Sequence, residues 1–226
     1  MSDPDYEALR TAFTASVSHE LRTPLARLQA LLDTAELPGA DLQGLLRKAR
    51  DEVLEMTELV DDVLFLSELE QGREIVALGD TEAAPVLREL VAELSERAEL
   101  GGLRLELRIE DEAIHVPLRR RMLRLVAENL LENSLRYAGE GATCTVTLAR
   151  EDGSVLLEVA DDGTGVPDAD VARLFERFFR SDRARTTRGT GLGLAIVKHV
   201  VESAEGNVEA RGGRHRGLDV RCVFPA

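Results

Sequence analysis

Residues 12–28, Ala-Phe-Thr-Ala-Ser-Val-Ser-His-Glu-Leu-Arg-Thr-Pro-Leu-Ala-Arg-Leu, decide how the beginning of the chain folds. Leu9, Phe13, Val17, Leu21, Leu25, Leu28 and Leu32 recur at spacings of three or four, so residues 6 to 36 read as one long helix. Pro38-Gly39 stops it. From Leu42 the pattern resumes, and Leu46, Ala49, Val53, Met56, Val60 and Val63 alternate steps of three and four, the spacing of a coiled-coil seam. Two helices of roughly 30 residues, each about 45 Å long, joined by a short turn must run antiparallel. Leu45, Leu59, Leu64 and Leu69 widen the second apolar stripe beyond one seam, so a lone hairpin leaves apolar surface uncovered. Dimerisation into a four-helix bundle is the expected remedy.

Beyond Gln71-Gly72 the sequence changes character. An amphipathic helix is expected over 82–100, a strand over Leu103–Ile109 and a second helix over Leu118–Tyr137 with four Arg near its start. Strands follow at Thr143–Leu148 and Val155–Ala160. After a loop rich in Gly and Asp come a short helical stretch at 168–176, a polar Arg/Thr segment at 180–188 and a helix from Leu192 to Ser203. Asn207–Ala210 and Leu218–Phe224 close as a hairpin. Helices mixed with hairpin-linked strands imply a mainly antiparallel α/β layer.

Composition narrows the function. The 226 residues carry 28 Lys+Arg and 42 Asp+Glu, a formal charge of −14, and residues 1–72 alone hold 15 acidic against 6 basic side chains. That balance argues against sequence-independent binding to nucleic acid, which needs cations to displace counterions from phosphates. No apolar run approaches the roughly 18 residues that cross a bilayer, and the N-terminus lacks the pattern of a secretory signal. Cys144 and Cys222 are too few and too scattered for a disulfide framework or a zinc site, which favours a reducing cytoplasm.

Five short motifs carry chemistry. In the first helix, Pro24 lacks the amide that would bond the Glu20 carbonyl, which loosens the helix one turn from His19. Glu20 beside His19 is placed to hold one imidazole nitrogen protonated and leave the other as a nucleophile. Thr23 stands where a zinc peptidase motif would need a second His. Asn129 and Asn133 lie one turn apart on one helix face, and their carbonyl oxygens suit a magnesium ion arriving with a triphosphate. Asp161-Asp162-Gly163-Thr164-Gly165 follows a strand; its first carboxylate can accept from an exocyclic amine such as that of adenine, and its glycines permit close backbone approach. Gly189-Thr190-Gly191-Leu192-Gly193-Leu194 opens a helix, where backbone amides can cradle phosphate oxygens. It is neither a P-loop nor a dinucleotide fingerprint. Between the two glycine segments Arg173, Arg177, Arg180, Arg183, Arg185 and Arg188 face only Glu176 and Asp182, a local positive excess fit for an anion-binding lid.

In order and spacing these motifs resemble the cytoplasmic core of sensor histidine kinases of bacterial two-component systems. His19-Glu20-x-Arg22-Thr23-Pro24 is similar to the family's phospho-acceptor box, Asn129–Tyr137 to its N box and Asp161–Gly165 to its first Gly box. Leu174–Phe178 is similar to its F box and Gly189–Leu194 to its second Gly box. The resemblance implies a dimerising histidine-phosphotransfer hairpin over 1–72, then a Bergerat-type α/β sandwich ATP-binding domain over 73–226, of the kind shared with gyrase, Hsp90 and MutL. It makes His19 the phosphorylated nucleophile, Glu20 its acid/base partner and Thr23 a residue that places water for dephosphorylating a response regulator. It gives Asn133, with Asn129, to Mg2+, and Asp161, with Gly163 and Gly165, to the adenine. Tyr137 would lie against the base, with Arg136, Arg180 and the 189–194 segment at the ATP phosphates. A receiver domain is the implied partner, and an upstream membrane segment, not in this sequence, the implied anchor of a cytoplasmic fragment. Arg188 stands where many members have glycine, and Asp162 where many have Asn. A clamp-type ATPase of the same superfamily would carry a water-activating Glu where Asn129 stands.

Overall fold

The computed structural model describes residues 3–70, 78–181, 189–213 and 215–225, with the side chains of residues up to 16 and of 69–70 left aside. Two compact units divide the chain, Met1–Ser67 and Glu68–Ala226. The Gln71-Gly72 junction, Asp182, Arg183, Arg185 and Arg188 lie outside the described residues.

The first unit is a helical hairpin, α1 (Asp3–Ala35) and α2 (Leu42–Glu70). Gly39, at φ +82, makes the turn that the Pro38-Gly39 pair foretold. Asp41 Oδ1 accepts from the Gly44 amide at 3.0 Å and so satisfies one orphan donor in the first turn of α2. Arg27 of α1 lies 3.8 Å from Glu52 of α2, the pairing that antiparallel helices give. Pro24 sits inside α1 without ending it.

In the second unit the order is β1 (Leu78–Glu82), α3 (Ala83–Leu100), β2 (Arg104–Ile109), β3 (His115–Leu118), α4 (Arg120–Tyr137), β4 (Thr143–Glu151), β5 (Ser154–Asp161), α5 (Asp168–Val171), α6 (Gly193–Ser203), β6 (Asn207–Gly212) and β7 (Leu218–Pro225). A five-stranded sheet runs β2-β4-β5-β7-β6, antiparallel except for the parallel β2–β4 pair, and β1 and β3 form a separate antiparallel ribbon.

Alternation in the strands sets the layers. Cys144, Val146 and Leu148 of β4, Val155, Leu157 and Val159 of β5, and Val220, Cys222 and Phe224 of β7 are buried on one face. Onto that face pack Val86, Leu87, Leu90 and Leu94 of α3, Leu123, Val126, Leu130 and Leu131 of α4, and Ile196, Val197 and Val200 of α6. The alternate residues, among them Thr145, Thr147, Glu158, Asp219 and Arg221, form the polar outer face. Ion pairs Glu89–Arg120, Glu93–Arg124 and Arg97–Glu132 stitch α3 to α4, and Arg119 Nε donates to the Leu78 carbonyl at 3.1 Å. Thus three of the Arg clustered near the start of α4 are spent within the fold.

Two local readings are corrected, and one ribbon had no counterpart in the sequence reading. The helix expected from Leu118 begins at Arg120, because His115-Val-Pro-Leu118 pairs with β1 as a ribbon; Pro117 is tolerated there since the ribbon leaves one edge of β3 unpaired. β1 itself, Leu-Gly-Asp-Thr-Glu, has no strand composition and is created by that pairing. The helix expected over 168–176 stops at Val171 and gives way to turns, where Phe178 adopts φ +60.

Candidate active site

In the hairpin, the side chain of His19 is 75% exposed and its Nδ1 lies 3.8 Å from Glu20 Oε1. That separation exceeds a hydrogen bond, so Glu20 faces Nδ1 without bonding it and does not fix the tautomer as the sequence suggested. Thr23 Oγ1 lies 3.5 Å from the His19 carbonyl, while buried Pro24 offers the Glu20 carbonyl no amide. The turn that carries His19 is therefore held by fewer backbone bonds than its neighbours.

The second cluster belongs to the α/β unit. α4 presents Asn129, Asn133, Arg136 and Tyr137 at steps of about one and two turns, along one face. Asn129 Nδ2 donates to the Leu125 carbonyl at 2.9 Å, which orients its Oδ1 toward the start of α6; a β-carbon on Gly193 would sit 2.5 Å from that oxygen. A β-carbon on Gly189 would sit 2.9 Å from Tyr137 Oη and 3.3 Å from Arg136 Nη1. The segment 189–193 therefore follows α4 from Tyr137 back to Asn129, with Gly189 and Gly193 at the two points of closest approach. Thr190 Oγ1 accepts from the Leu192 amide at 3.2 Å, Leu192 is buried, and the Gly191 carbonyl accepts from the Phe178 amide at 3.0 Å. Phe178 and Arg180 flank Gly191.

The Asp161–Gly165 turn is fixed from three sides. The Thr164 amide and hydroxyl donate to the Ala138 and Tyr137 carbonyls at 2.9 and 3.0 Å, at the C-terminus of α4. Asp162 Oδ1 accepts from the Thr143 amide at 2.6 Å, which gives the acid at this position a structural task. The Gly163 and Thr164 carbonyls accept from the amides of Gly217 and His215 in the β6–β7 turn. A β-carbon on Gly163 would lie 2.2 Å from the Ala138 carbonyl oxygen, and one on Gly165 (φ +62) would lie 2.0 Å from that of Gly213. Protein backbone alone requires glycine at these two positions, a cause the sequence reading did not include.

Asp161 itself is half-buried. Its Oδ1 accepts from the Gly163 amide at 3.0 Å and its Oδ2 from the Ser134 hydroxyl at 3.2 Å. Burial pushes its carboxyl above the ordinary range, and the bonds from Gly163, Ser134 and Leu218 pull it back. Ser134, on α4, escaped the sequence reading. A serine in a helical pattern carries no signal without knowledge of what lies across from it. Arg173, counted in the Arg-rich lid, pairs with Glu176 at 3.1 Å and stacks 4.3 Å over Phe179, so it serves the turn instead.

The residues fit a purine nucleotide with its divalent ion. Asp161 is an acceptor held by two donors, α6 opens on glycines, Arg136 and Arg180 border that opening, and Asn133, one turn from Asn129 on α4, offers an amide oxygen. Among the described residues no group of three His, Cys, Asp or Glu could hold a metal alone, so an ion bound here would draw ligands from phosphate and water.

The chain matches two family models. One describes the His Kinase A (phospho-acceptor) domain, over residues 9–72; the other, over 118–226, describes the histidine kinase-, DNA gyrase B-, and HSP90-like ATPase. The signal transduction histidine-protein kinase BaeS of Escherichia coli (strain K12) is 34% identical over 97% of this chain and 47% of its own. This chain belongs to the sensor histidine kinases. The sensor-like histidine kinase SenX3 of Mycobacterium bovis is 31% identical over 97% of this chain and 55% of its own, so the chain spans about half the length of these curated relatives. The fold is that of the solved histidine kinases. Acinetobacter baumannii AdeS aligns at a TM-score of 0.74, with 23% identity, over 92% of this chain and 97% of its own. Histidine kinase ThkA in complex with response regulator protein TrrA aligns at 0.79, with 20% identity, over 98% of this chain and 63% of its own. Among the described residues no helix is long and apolar enough to cross a membrane.

Proposed function

We propose that this chain is the kinase core of a longer, membrane-anchored sensor whose present portion lies in the cytoplasm. Residues 1–72 serve dimerisation and phosphotransfer and residues 73–226 bind Mg-ATP. The γ-phosphoryl group passes to His19 and from there to an aspartate of a response regulator receiver domain. What supports the reading is the joint presence in one chain of an exposed, carboxylate-flanked His19 and of an α4–β5–α6 cluster whose donors match a nucleotide.

Asp161 accepts from the adenine amine and Tyr137 lies against the base, while Arg136, Arg180 and the amides of 189–194 take the phosphates. Asn133, assisted by Asn129, holds Mg2+, which supplies charge neutralisation when bound. Nε2, the imidazole nitrogen of His19 away from Glu20, is the nucleophile in the tautomer that carries its proton on Nδ1. It forms the new N–P bond as the bond from the γ-phosphorus to the ADP oxygen breaks, and the Nδ1 proton of the resulting cation passes to Glu20 or water. Catalysis is then mostly positioning and charge balance. Exposed Leu25, Leu32, Leu46, Val53 and Val60 are the face on which a second hairpin closes the four-helix bundle. Thr23, one turn beyond His19, orients water for dephosphorylating the same receiver. The existence of ThkA in complex with TrrA supports a receiver as partner.

Incubation with ATP labelled at the γ-phosphate tests the reading. Label that survives alkali and is lost in mild acid is expected; label that resists acid, or hydrolysis of ATP with none retained, contradicts it.

A further inference from the structure

Ser134 is the one polar side chain among the described residues that is buried, with 4% of its surface exposed. It sits on α4 immediately after Asn133 and faces inward, and its hydroxyl reaches Asp161 Oδ2 on β5 at 3.2 Å. Burying a hydroxyl costs free energy unless it is bonded, and here the partner is a carboxylate that is itself half-buried. A third group completes the arrangement. Cys144 of β4, fully buried, faces Ser134. Burial raises its thiol to about 11, so it keeps its hydrogen at neutral pH. A neutral thiol sulfur is a weak acceptor beside a carboxylate, so the single hydroxyl hydrogen of Ser134 goes to Asp161.

The consequence concerns direction. With Oδ1 held by the Gly163 amide and Oδ2 by Ser134, and the Leu218 amide as a further donor, the carboxylate cannot rotate about its Cβ–Cγ bond without losing one of these bonds. Its remaining lone pairs then point one way. An acceptor so fixed discriminates strongly, because a base without the matching amine leaves the carboxylate short of a partner.

We infer that Ser134 is a specificity-determining positioning residue, which aims the Asp161 carboxylate at the exocyclic amine of the purine. This deepens the nucleotide reading of Asp161 and rests on it. The alternative is that Ser134 serves packing alone, in which case its loss weakens every nucleotide equally or none.

The test compares equilibrium binding of Mg-ATP with that of the magnesium complex of purine riboside triphosphate, which differs only in lacking the amine. Three variants of the full chain are needed, Asp161→Ala, Ser134→Ala and Ser134→Cys, each with a thermal melt. Ser134→Ala is expected to weaken ATP about 5- to 10-fold, the loss of one hydrogen bond to a charged group, and to change the amine-free analogue less than about twofold. Ser134→Cys keeps the side-chain volume with a weaker donor and should fall between, which covers the event that the alanine variant melts early. Retention of the full preference for ATP in both Ser134 variants, or equal loss for both nucleotides, overturns the inference while leaving Asp161 its role. Retention of the preference in Asp161→Ala overturns the reading of Asp161 itself.

Discussion

The two units of this chain solve the problem of apolar surface in opposite ways. In the hairpin Leu25, Leu32, Leu46, Val53, Leu54, Val60 and Leu64 are between 43% and 67% exposed, whereas the α/β unit leaves only Leu78 and Leu100 exposed among its described large apolar side chains. A two-layer sandwich buries its own stripes; two helices side by side cannot, since each shows its partner only one narrow face. The hairpin therefore leaves surface for a partner to cover, and His19, the proposed phospho-acceptor, rides on that unit. The nucleotide cluster rides on the self-sufficient one. Stability and assembly should accordingly respond to different residues.

The largest effect is expected from placing charge on the uncovered hairpin face. Leu46→Glu with Val60→Glu buries four carboxylates per dimer and should weaken dimerisation by more than about a thousandfold, since each buried unpaired charge costs several kcal/mol. Sedimentation measures this. The melt of the α/β unit should not move, and a matching fall there would erase the contrast between the units. The converse change is Leu157→Ala in β5, where the side chain is fully buried. It should cost about 2–5 kcal/mol and lower the second unit's transition while leaving hairpin helicity in place; a single merged transition would contradict that.

How far the sequence discloses this contrast depends on whether a feature is periodic. The long helices and the inward alternation of β4, β5 and β7 repeat along the chain, so Cys144-Val146-Leu148 announced their face unaided; of the seam expected in α2, Leu46, Val53 and Val60 stay exposed within the hairpin, and Leu59 and Leu66 are buried instead. β1 and β3 do not repeat: Gly79 and Pro117 argue against strands, and only their mutual pairing, Leu78 with Leu118, Thr81 with Val116 and Glu82 with His115, makes them so. In the site, Asn129, Asn133 and Asp161 were singled out by residue type and spacing, and the structure sets Asn129 beside Gly193 and Asp161 beside Ser134. Ser134 was not, since its meaning comes from Asp161, 27 residues away. The glycines of the 161–165 turn were legible as glycines, but their cause lay in Ala138 and Gly213, across loop contacts that no local window contains.

A smaller effect sharpens the picture of the outer sheet face. Asp219 Oδ1 is buried without a partner, and burial together with the neighbouring Glu158 raises its carboxyl from 3.8 to about 6. A carboxyl raised on folding contributes stability when protonated and loses it as pH climbs from about 4 through 6. Asp219→Asn removes that loss. It should raise the melting temperature by about 3 °C at pH 7.5, on the order of 1 kcal/mol after solvent screening, and by progressively less toward pH 5. A gain independent of pH would count against the titration of Asp219.

In the proposed reaction the exposed imidazole of the hairpin accepts the phosphoryl group delivered by the α/β unit. His19→Gln tests it most directly. In the presence of Mg2+ and γ-labelled ATP this variant should retain nucleotide affinity within about twofold and the wild-type melt, yet incorporate no acid-labile label. Acid-labile label persisting in His19→Gln would place the acceptor on another side chain and contradict the account.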